Sequence, residues 1–410
     1  MCEKTYTISE YGLIGTDESV KNYNKFSSAK VCQTVYKELE DFAKSDYGKD
    51  IFTFSGNGRY LQAKSYVGTI QTKSGYSIEI LPKIYNKKNE NHSKEIFLEL
   101  LRMLYKLPTF KHIEKANFEN EKMPLLEIFI SMFLDEVAYI LKKGIKSDYI
   151  PKEENLHYLK GKLLINEQIK KNYIHKERFY VDYDEYTPNR VENKLIKSTL
   201  NYLLNISSSV QNIRLLRMYQ EHMYNVEYSR NYDIDFRACK TSTRGMEHYK
   251  NALIWAKVFL KKESFSSFSG DTIAFSILYP MEKLFENYME YILQEKYPNY
   301  TVQAQNGEKI FVKEKDKKLF GVRPDFIIKE KTDIKIIADA KWKIIDENKS
   351  FSQSDFYQLF SYWHIYEPKK ALSLYYPMSE RFTKIKRFRY FDKTKLLAIP
   401  IDMNKIIKST

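Results

Sequence analysis

Cysteine is nearly absent from this chain. Cys2, Cys32 and Cys239 are the only three in 410 residues, and they are far apart. An odd count without metal-ligand spacing excludes a disulfide framework and a cysteine metal site, and it fits a reducing cytoplasm. The opening stretch Met1-Cys2-Glu3-Lys4-Thr5-Tyr6 has no apolar signal core, so export is not expected. No uncharged run is long enough to cross a bilayer: the most apolar helical stretch, Leu125 to Leu141, contains Glu127, Asp135 and Glu136 and reads as a core helix. No G-x-x-x-x-G-K-[ST] phosphate loop occurs, since Gly12-Leu13-Ile14-Gly15 lacks the lysine. His157, His175 and His248 stand alone, without the spacing of metal ligands. No internal repeat or low-complexity tract is visible.

Basic charge is what the chain has in excess. Lys and Arg number 67 against 53 Asp and Glu, a net charge of +14, and charged residues make up 29% of the sequence. Such a balance points to a polyanion, most simply nucleic acid. A Lys-rich composition shared by a whole genome gives the same number, so charge alone does not decide the matter.

The chain is long enough for two or three domains. Residues 1–93 read as β-rich with one helix, Ser28 to Lys44. Tyr60 to Ile70 and Tyr76 to Ile84 are strand-like and joined by the turn Thr72-Lys73-Ser74-Gly75. Residues 94–265 read as mainly helical, with helices around Ile96–Leu107, Leu125–Leu141, Glu192–Leu204 and Leu253–Phe259. A strand-like alternation runs from Phe179 to Tyr186. Residues 266–410 read as helix Met281–Leu293, several strands, helix Ser354–Ile365 and strand Ala371–Tyr376. The whole is a mixed α/β (α+β) chain with a mixed central sheet in its last third.

The chemistry concentrates in that last third. In Ile334 to Trp342 the period of two places Ile337, Asp339 and Lys341 on one face, and Ile336, Ala338, Ala340 and Trp342 on the other. A preceding strand, Val322 to Ile328, pairs back through Lys331-Thr332-Asp333 and brings Asp325 to the face of Asp339. Pro324 suits a strand start or edge, because it has no N–H for a ladder. Two aspartates, with a backbone carbonyl such as that of Ala340, make a ligand set for a hard cation such as Mg2+. Lys341 is placed to orient a water or to stabilise charge on a phosphate. Gln358 and Tyr362 share one face of the following helix, and Glu286 on the preceding helix is a further candidate carboxylate ligand.

Pro324-Asp325, Asp339-x-Lys341 and Gln358-x-x-x-Tyr362 resemble the PD-(D/E)XK nuclease superfamily, in the branch with a Q-x-x-x-Y helix. The resemblance implies a Mg2+-dependent endodeoxyribonuclease in which Asp325 and Asp339 hold the metal and Lys341 is the catalytic lysine. Gln358, counted with the catalytic set, and Tyr362 would each support it or touch DNA, and Arg323 is a further candidate DNA contact. Glu286 matches only a variable acid of the pattern. The rest of the chain is similar to the McrC subunit of McrBC-type (5-methylcytosine-specific) restriction systems. That likeness is carried by Tyr66-Val67-Gly68-Thr69-Ile70 with Ile78-Glu79-Ile80-Leu81-Pro82-Lys83-Ile84, by Leu159-Lys160-Gly161-Lys162-Leu163, and by Phe179–Glu185 leading to Asn189–Lys197.

This second resemblance implies a bacterial cytoplasmic nuclease subunit acting on double-stranded DNA. It would depend on, and activate, a hexameric McrB-like AAA+ GTPase; the missing phosphate loop fits such dependence, and no membrane is implied. By the same likeness residues 1–93, through the Tyr60–Ile84 region, would face the partner. Lys160, Lys162, Arg190, Lys194 and Lys197 either line a DNA channel or, with Asn193, lock the middle region. Two other readings remain: a stand-alone nuclease of DNA repair or phage defence, and a non-catalytic activator of the ring.

Overall fold

In the computed structural model, residues 4–22, 27–84, 90–105, 123–240, 245–261, 273–305, 309–314, 317–345 and 351–408 are described. The chain forms two compact units: Met1–Leu125 together with Ser264–Thr410, and Leu126–Glu263. The architecture is mixed α/β.

In the first unit the N-terminal segment and the start of the segment Ser264–Thr410 share a sheet. Its strand order is Thr5–Ser9, Ser77–Leu81, Tyr66–Thr72, Ile273–Pro280. The hairpin expected to face a partner is therefore the inner pair of this sheet, with Val67, Ile70, Ile78 and Ile80 buried. Its turn closes through the Gly75 N–H on the Thr72 carbonyl at 3.0 Å. Gly68 explains one motif position, because at φ +139° a Cβ there would sit 2.0 Å from the Ile277 carbonyl oxygen across the ladder.

A second four-stranded sheet runs Ser28–Lys30, Leu13–Gly15, Tyr60–Ala63, Phe52–Ser55. Two expectations change here. The stretch Tyr60–Ile70 breaks at Lys64-Ser65, and its halves join different sheets. The helix begins at Gln33 rather than Ser28, because Ser28–Lys30 pairs in parallel with Leu13–Gly15. Leu39 and Phe42 of this helix pack with Ile8, Ile14, Leu61 and Ile78 into one core.

The third sheet has six strands in the order Thr301–Ala304, Phe326–Glu330, Asp333–Ala340, Ala371–Pro377, Lys395–Ile401, Lys386–Arg389. It is mixed. Asp333–Ala340 is antiparallel to Phe326–Glu330 and parallel to Ala371–Pro377, and the parallel link is made by the crossover helix Gln353–Tyr366. That helix packs Leu359 and Tyr362 against Ile337, while helix Met281–Lys296 sets Phe285 against Trp342, ring centroids 5.3 Å apart. The two faces of the central strand thus meet different helices, as its alternation requires.

The expected strand Val322–Ile328 is interrupted. Lys317–Val322 pairs with Lys309–Glu314 in a separate ribbon, whereas Phe326–Glu330 joins the six-stranded sheet. Arg323-Pro324-Asp325 is the break between them, where proline removes a ladder donor.

The second unit is not purely helical. Helices Leu125–Lys143, Val191–Leu204, Val210–His222 and Lys250–Leu260 accompany a sheet ordered Asp148–Leu156, Phe179–Thr187, Lys162–Leu163. The first of these strands has no strong apolar alternation and escapes sequence reading. Glu127 is buried, and it accepts hydrogen bonds from Ser207 Oγ at 2.9 Å, the Ser208 N–H at 2.6 Å and Asn212 Nδ2 at 2.7 Å. Its helix is a core helix. Among the described residues no helix is long and apolar enough to cross a membrane.

Candidate active site

The central strand of the six-stranded sheet ends at Ala340, and its last residues carry the chemistry. Asp339 is 1% exposed. Lys341 Nζ lies 2.6 Å from its Oδ2 as an ion pair, yet among the described residues neither carboxylate oxygen has a well-oriented hydrogen-bond donor. Burying a carboxylate this way is costly, because most buried polar groups are satisfied.

Asp325 arrives from the break before Phe326–Glu330. Since Phe326 pairs with Ala338, the next position back sets Asp325 beside Asp339. The Asp325 Oδ2 accepts the Ala340 N–H at 2.9 Å, and the Asp325 carbonyl accepts the Gln305 N–H at 2.8 Å. Burial first, and then the adjoining Asp339 charge, push the Asp325 carboxyl up to about 7. Asp339 is also raised by burial, with Lys341 pulling it back. Burial works against the Lys341 ammonium, but the charge and hydrogen bond of Asp339, with the charges of Asp325 and Asp355, together offset it and leave its pKa raised. Two acids and one cation therefore hold one another in a partly dry recess.

Helix Gln353–Tyr366 holds this recess in shape. Gln358 Nε2 donates to the Tyr362 hydroxyl at 2.6 Å, and that hydroxyl donates to the Arg323 carbonyl at 3.1 Å. One turn on, the Tyr366 hydroxyl donates to the Val322 carbonyl at 2.9 Å. Tyr362 is 2% exposed, and its hydroxyl is committed to the backbone. Gln358 is half-buried, and Arg323 is exposed at the rim.

Glu286 connects to the acid pair through Gln305, whose N–H lies on the Asp325 carbonyl. It accepts from Lys283 Nζ and from Gln305 Nε2, each at 2.7 Å, and Gln305 in turn accepts from Arg323 at 3.5 Å. Among the described residues no three His, Cys, Asp or Glu side chains gather as a metal-binding group. The site offers two carboxylates, Asp325 and Asp339. That donor set suits a Mg2+ ion, which commonly binds through one or two carboxylates and takes its remaining ligands from water and phosphate.

Sequence reading missed Asp355 and its partners. Asp355 is buried in the first turn of the crossover helix, where it accepts from Lys343 Nζ at 2.8 Å and from the Tyr376 hydroxyl at 2.9 Å. The signal was present: Lys343 continues the period of Asp339 and Lys341, and Asp355 lies about one turn before Gln358.

The basic candidates of the second unit divide. Lys162 is exposed. Arg190 is paired with Asp148 at 2.6 Å and Glu192 at 3.1 Å, and Lys194 with Glu227 at 2.9 Å. Lys197 donates to the carbonyls of Tyr224 and Val226, and Lys160 lies over the Tyr183 ring. Asn193 is buried. It donates to the carbonyls of Lys146 and Pro188 and accepts from the Tyr249 hydroxyl at 2.8 Å, so its bonds knit this unit together.

Residues 61–377 match the family model described as McrBC 5-methylcytosine restriction system component. No curated protein matches the chain. Two solved structures share the fold. One is a chain of the refined half-complex from a tetradecameric assembly of Thermococcus gammatolerans McrB AAA+ hexamers with bound McrC. It is 18% identical, covers 99% of both chains and has a TM-score of 0.73. The other is a chain of the Thermococcus gammatolerans McrBC complex, 20% identical over 70% of this chain and 87% of that one, with a TM-score of 0.51.

Proposed function

Because this chain belongs to the McrBC 5-methylcytosine restriction system component family, we propose that it is the nuclease subunit of such a system, an endodeoxyribonuclease of the PD-(D/E)XK type. The observation that carries this reading is Asp339: a buried carboxylate with no well-oriented donor, beside Asp325 and Lys341. An acid pair of that kind has a cost in folding that a bound cation offsets.

Asp325 and Asp339 would hold Mg2+. When bound, the ion polarises the scissile phosphate and lowers the pKa of its water. The chain's own groups do the rest. Lys341 sets its ammonium over the acid pair, where it orients the attacking water or neutralises charge developing on phosphate. Tyr362, backed by Gln358, fixes the Arg323–Asp325 break so that the Asp325 carboxylate stays on the Ala340 N–H. Arg323 at the rim and Lys162 on the second unit supply phosphate contacts to double-stranded DNA.

The partner in this reading is a hexameric AAA+ GTPase; the assembly whose chain shares this fold contains McrB AAA+ hexamers with bound McrC. The test is reconstitution with such a partner, Mg2+ and either GTP or ATP, on methylated and unmethylated DNA. Wild type should cut; Asp339→Ala should not, while still binding the partner and stimulating its GTPase. Equal cleavage by the variant overturns the site. Full-rate cutting by the isolated chain overturns dependence on the partner and favours a stand-alone nuclease.

A further inference from the structure

Glu10 is a glutamate with 0% exposure, set in the bend between Thr5–Ser9 and Leu13–Gly15. Its carboxyl group accepts the Trp342 indole N–H at 2.9 and 3.1 Å on its two oxygens, and the Lys83 N–H at 3.0 Å. Its own N–H donates to the Leu81 carbonyl at 3.0 Å. Glu10 is thereby fixed at the end of the first four-stranded sheet, and its acceptor oxygens are aimed at one residue of the third.

That residue follows Lys341. The parallel ladder closes at the Ala340–Tyr375 pair, after which the Lys341 N–H reaches the Tyr375 carbonyl at 2.9 Å and the chain leaves the sheet. A strand end tied to its neighbouring strand by one last bond, with only the local Lys343 N–H to Lys341 carbonyl bond beyond it, frays readily. Trp342 prevents this from the face opposite Asp339 and Lys341, with its ring against Phe285 and its N–H on Glu10. An apolar pair would pack there without the desolvation cost of a buried acid. What the acid adds is a directional acceptor.

We propose that Glu10 is a positioning residue for Lys341: through the Glu10–Trp342 hydrogen bond, the N-terminal segment of the chain fixes the strand end that presents the lysine to the acid pair. The inference rests on the nuclease reading of that pair. A second tie runs alongside, from Ser65 Oγ to Glu282 at 2.7 Å and from the Met281 N–H to the Ser65 carbonyl at 2.9 Å. It anchors the helix that carries Phe285.

The experiment uses the full chain with its AAA+ partner and compares wild type, Glu10→Ala, Glu10→Gln and Trp342→Phe. Single-turnover cleavage at saturating DNA is read beside DNA affinity and hydrogen exchange at the Lys341 and Trp342 amides. Glu10→Ala and Trp342→Phe should cut about 10- to 100-fold more slowly, the range a small misplacement produces. Their DNA affinity should be unchanged and exchange at the two amides faster. Glu10→Gln keeps an acceptor oxygen and should stay within about twofold of wild type, and a variant combining Glu10→Ala with Trp342→Phe should be no slower than the slower single one. Wild-type rates in Glu10→Ala and Trp342→Phe, or a Glu10→Gln as slow as Glu10→Ala, overturn the proposal. If wild type itself fails to cut DNA, the nuclease reading falls instead; unchanged exchange in Glu10→Ala then overturns the tether independently.

Discussion

The Tyr362 hydroxyl donates to the Arg323 carbonyl at 3.1 Å. With Tyr366 on the Val322 carbonyl one turn later, the crossover helix grips two successive carbonyls at the point where the chain leaves one sheet and enters another. Val322 is the last residue of the ribbon, opposite Lys309, and Arg323 lies in the break before Phe326. The grip turns Asp325 onto the Ala340 N–H, so the Gln358-x-x-x-Tyr362 pattern acts here as a brace within the fold.

Tyr362→Phe should therefore slow cleavage about tenfold with DNA affinity unchanged, because the loss is one of alignment. Stability should fall by about 1 kcal/mol, the net worth of a typical hydrogen bond. Single-turnover rates and binding isotherms on the same DNA check this. A weakened affinity with an unchanged rate would make Tyr362 a DNA contact instead.

How much of this was legible in the sequence follows from what each residue answers to. The period of two in Ile334–Trp342 set the face of Asp339 and Lys341, because alternation is a property of the strand itself. The break at Arg323–Asp325 was half visible: Pro324 signalled a strand edge, but the tyrosine grip depends on a helix some 40 residues away. Glu10 gave no signal at all, since nothing local marks a glutamate as buried until Trp342, 332 residues later, supplies its donor. The Ser28–Lys30 strand was lost to the helical spacing of the segment that follows, where pairing with Leu13–Gly15 overrides local pattern.

Asp339→Asn separates function from folding at the acid pair. The amide cannot serve as an anionic ligand, so cleavage should drop by at least about a hundredfold and Mg2+ binding, followed by calorimetry, should be lost. The same change removes a charge whose burial is costly, and Asp325 and Asp355 remain as counter-charges to Lys341, so the melting temperature should hold or rise. A destabilisation above about 2 kcal/mol would mean that Asp339 is chiefly a structural ion-pair partner.

The basic residues of the second unit should separate in the same way. Lys162 is exposed, so Lys162→Ala should weaken DNA binding uniformly across sequences and reduce the slope of log affinity against log salt by about one. Arg190 is engaged by Asp148 and Glu192. Arg190→Ala leaves the buried Glu192 without its cation and should act first on the stability of that unit. Filter binding over a salt series, beside thermal melts, distinguishes the two; a salt slope unchanged in Lys162→Ala removes that residue from the DNA interface.

Glu10 also makes stability depend on pH in a defined direction. Burial, opposed by the Lys83 N–H and the Trp342 indole, raises its carboxyl to about 8. Below the ordinary glutamate value, folded and unfolded chains both hold the proton. Between that value and about pH 8 only the folded chain keeps it, so this contribution to stability is lost as the pH rises through that window and is gone above it. The slope is at most about 1.4 kcal/mol per pH unit. Glu10→Gln keeps an acceptor for the indole and has no proton to lose. Other carboxylates titrate alike in both proteins and cancel in the difference. The melting temperature of Glu10→Gln relative to wild type should therefore climb between about pH 5 and pH 8 and level off beyond. A difference that stays flat across that window would show that Glu10 is already ionised in the folded protein.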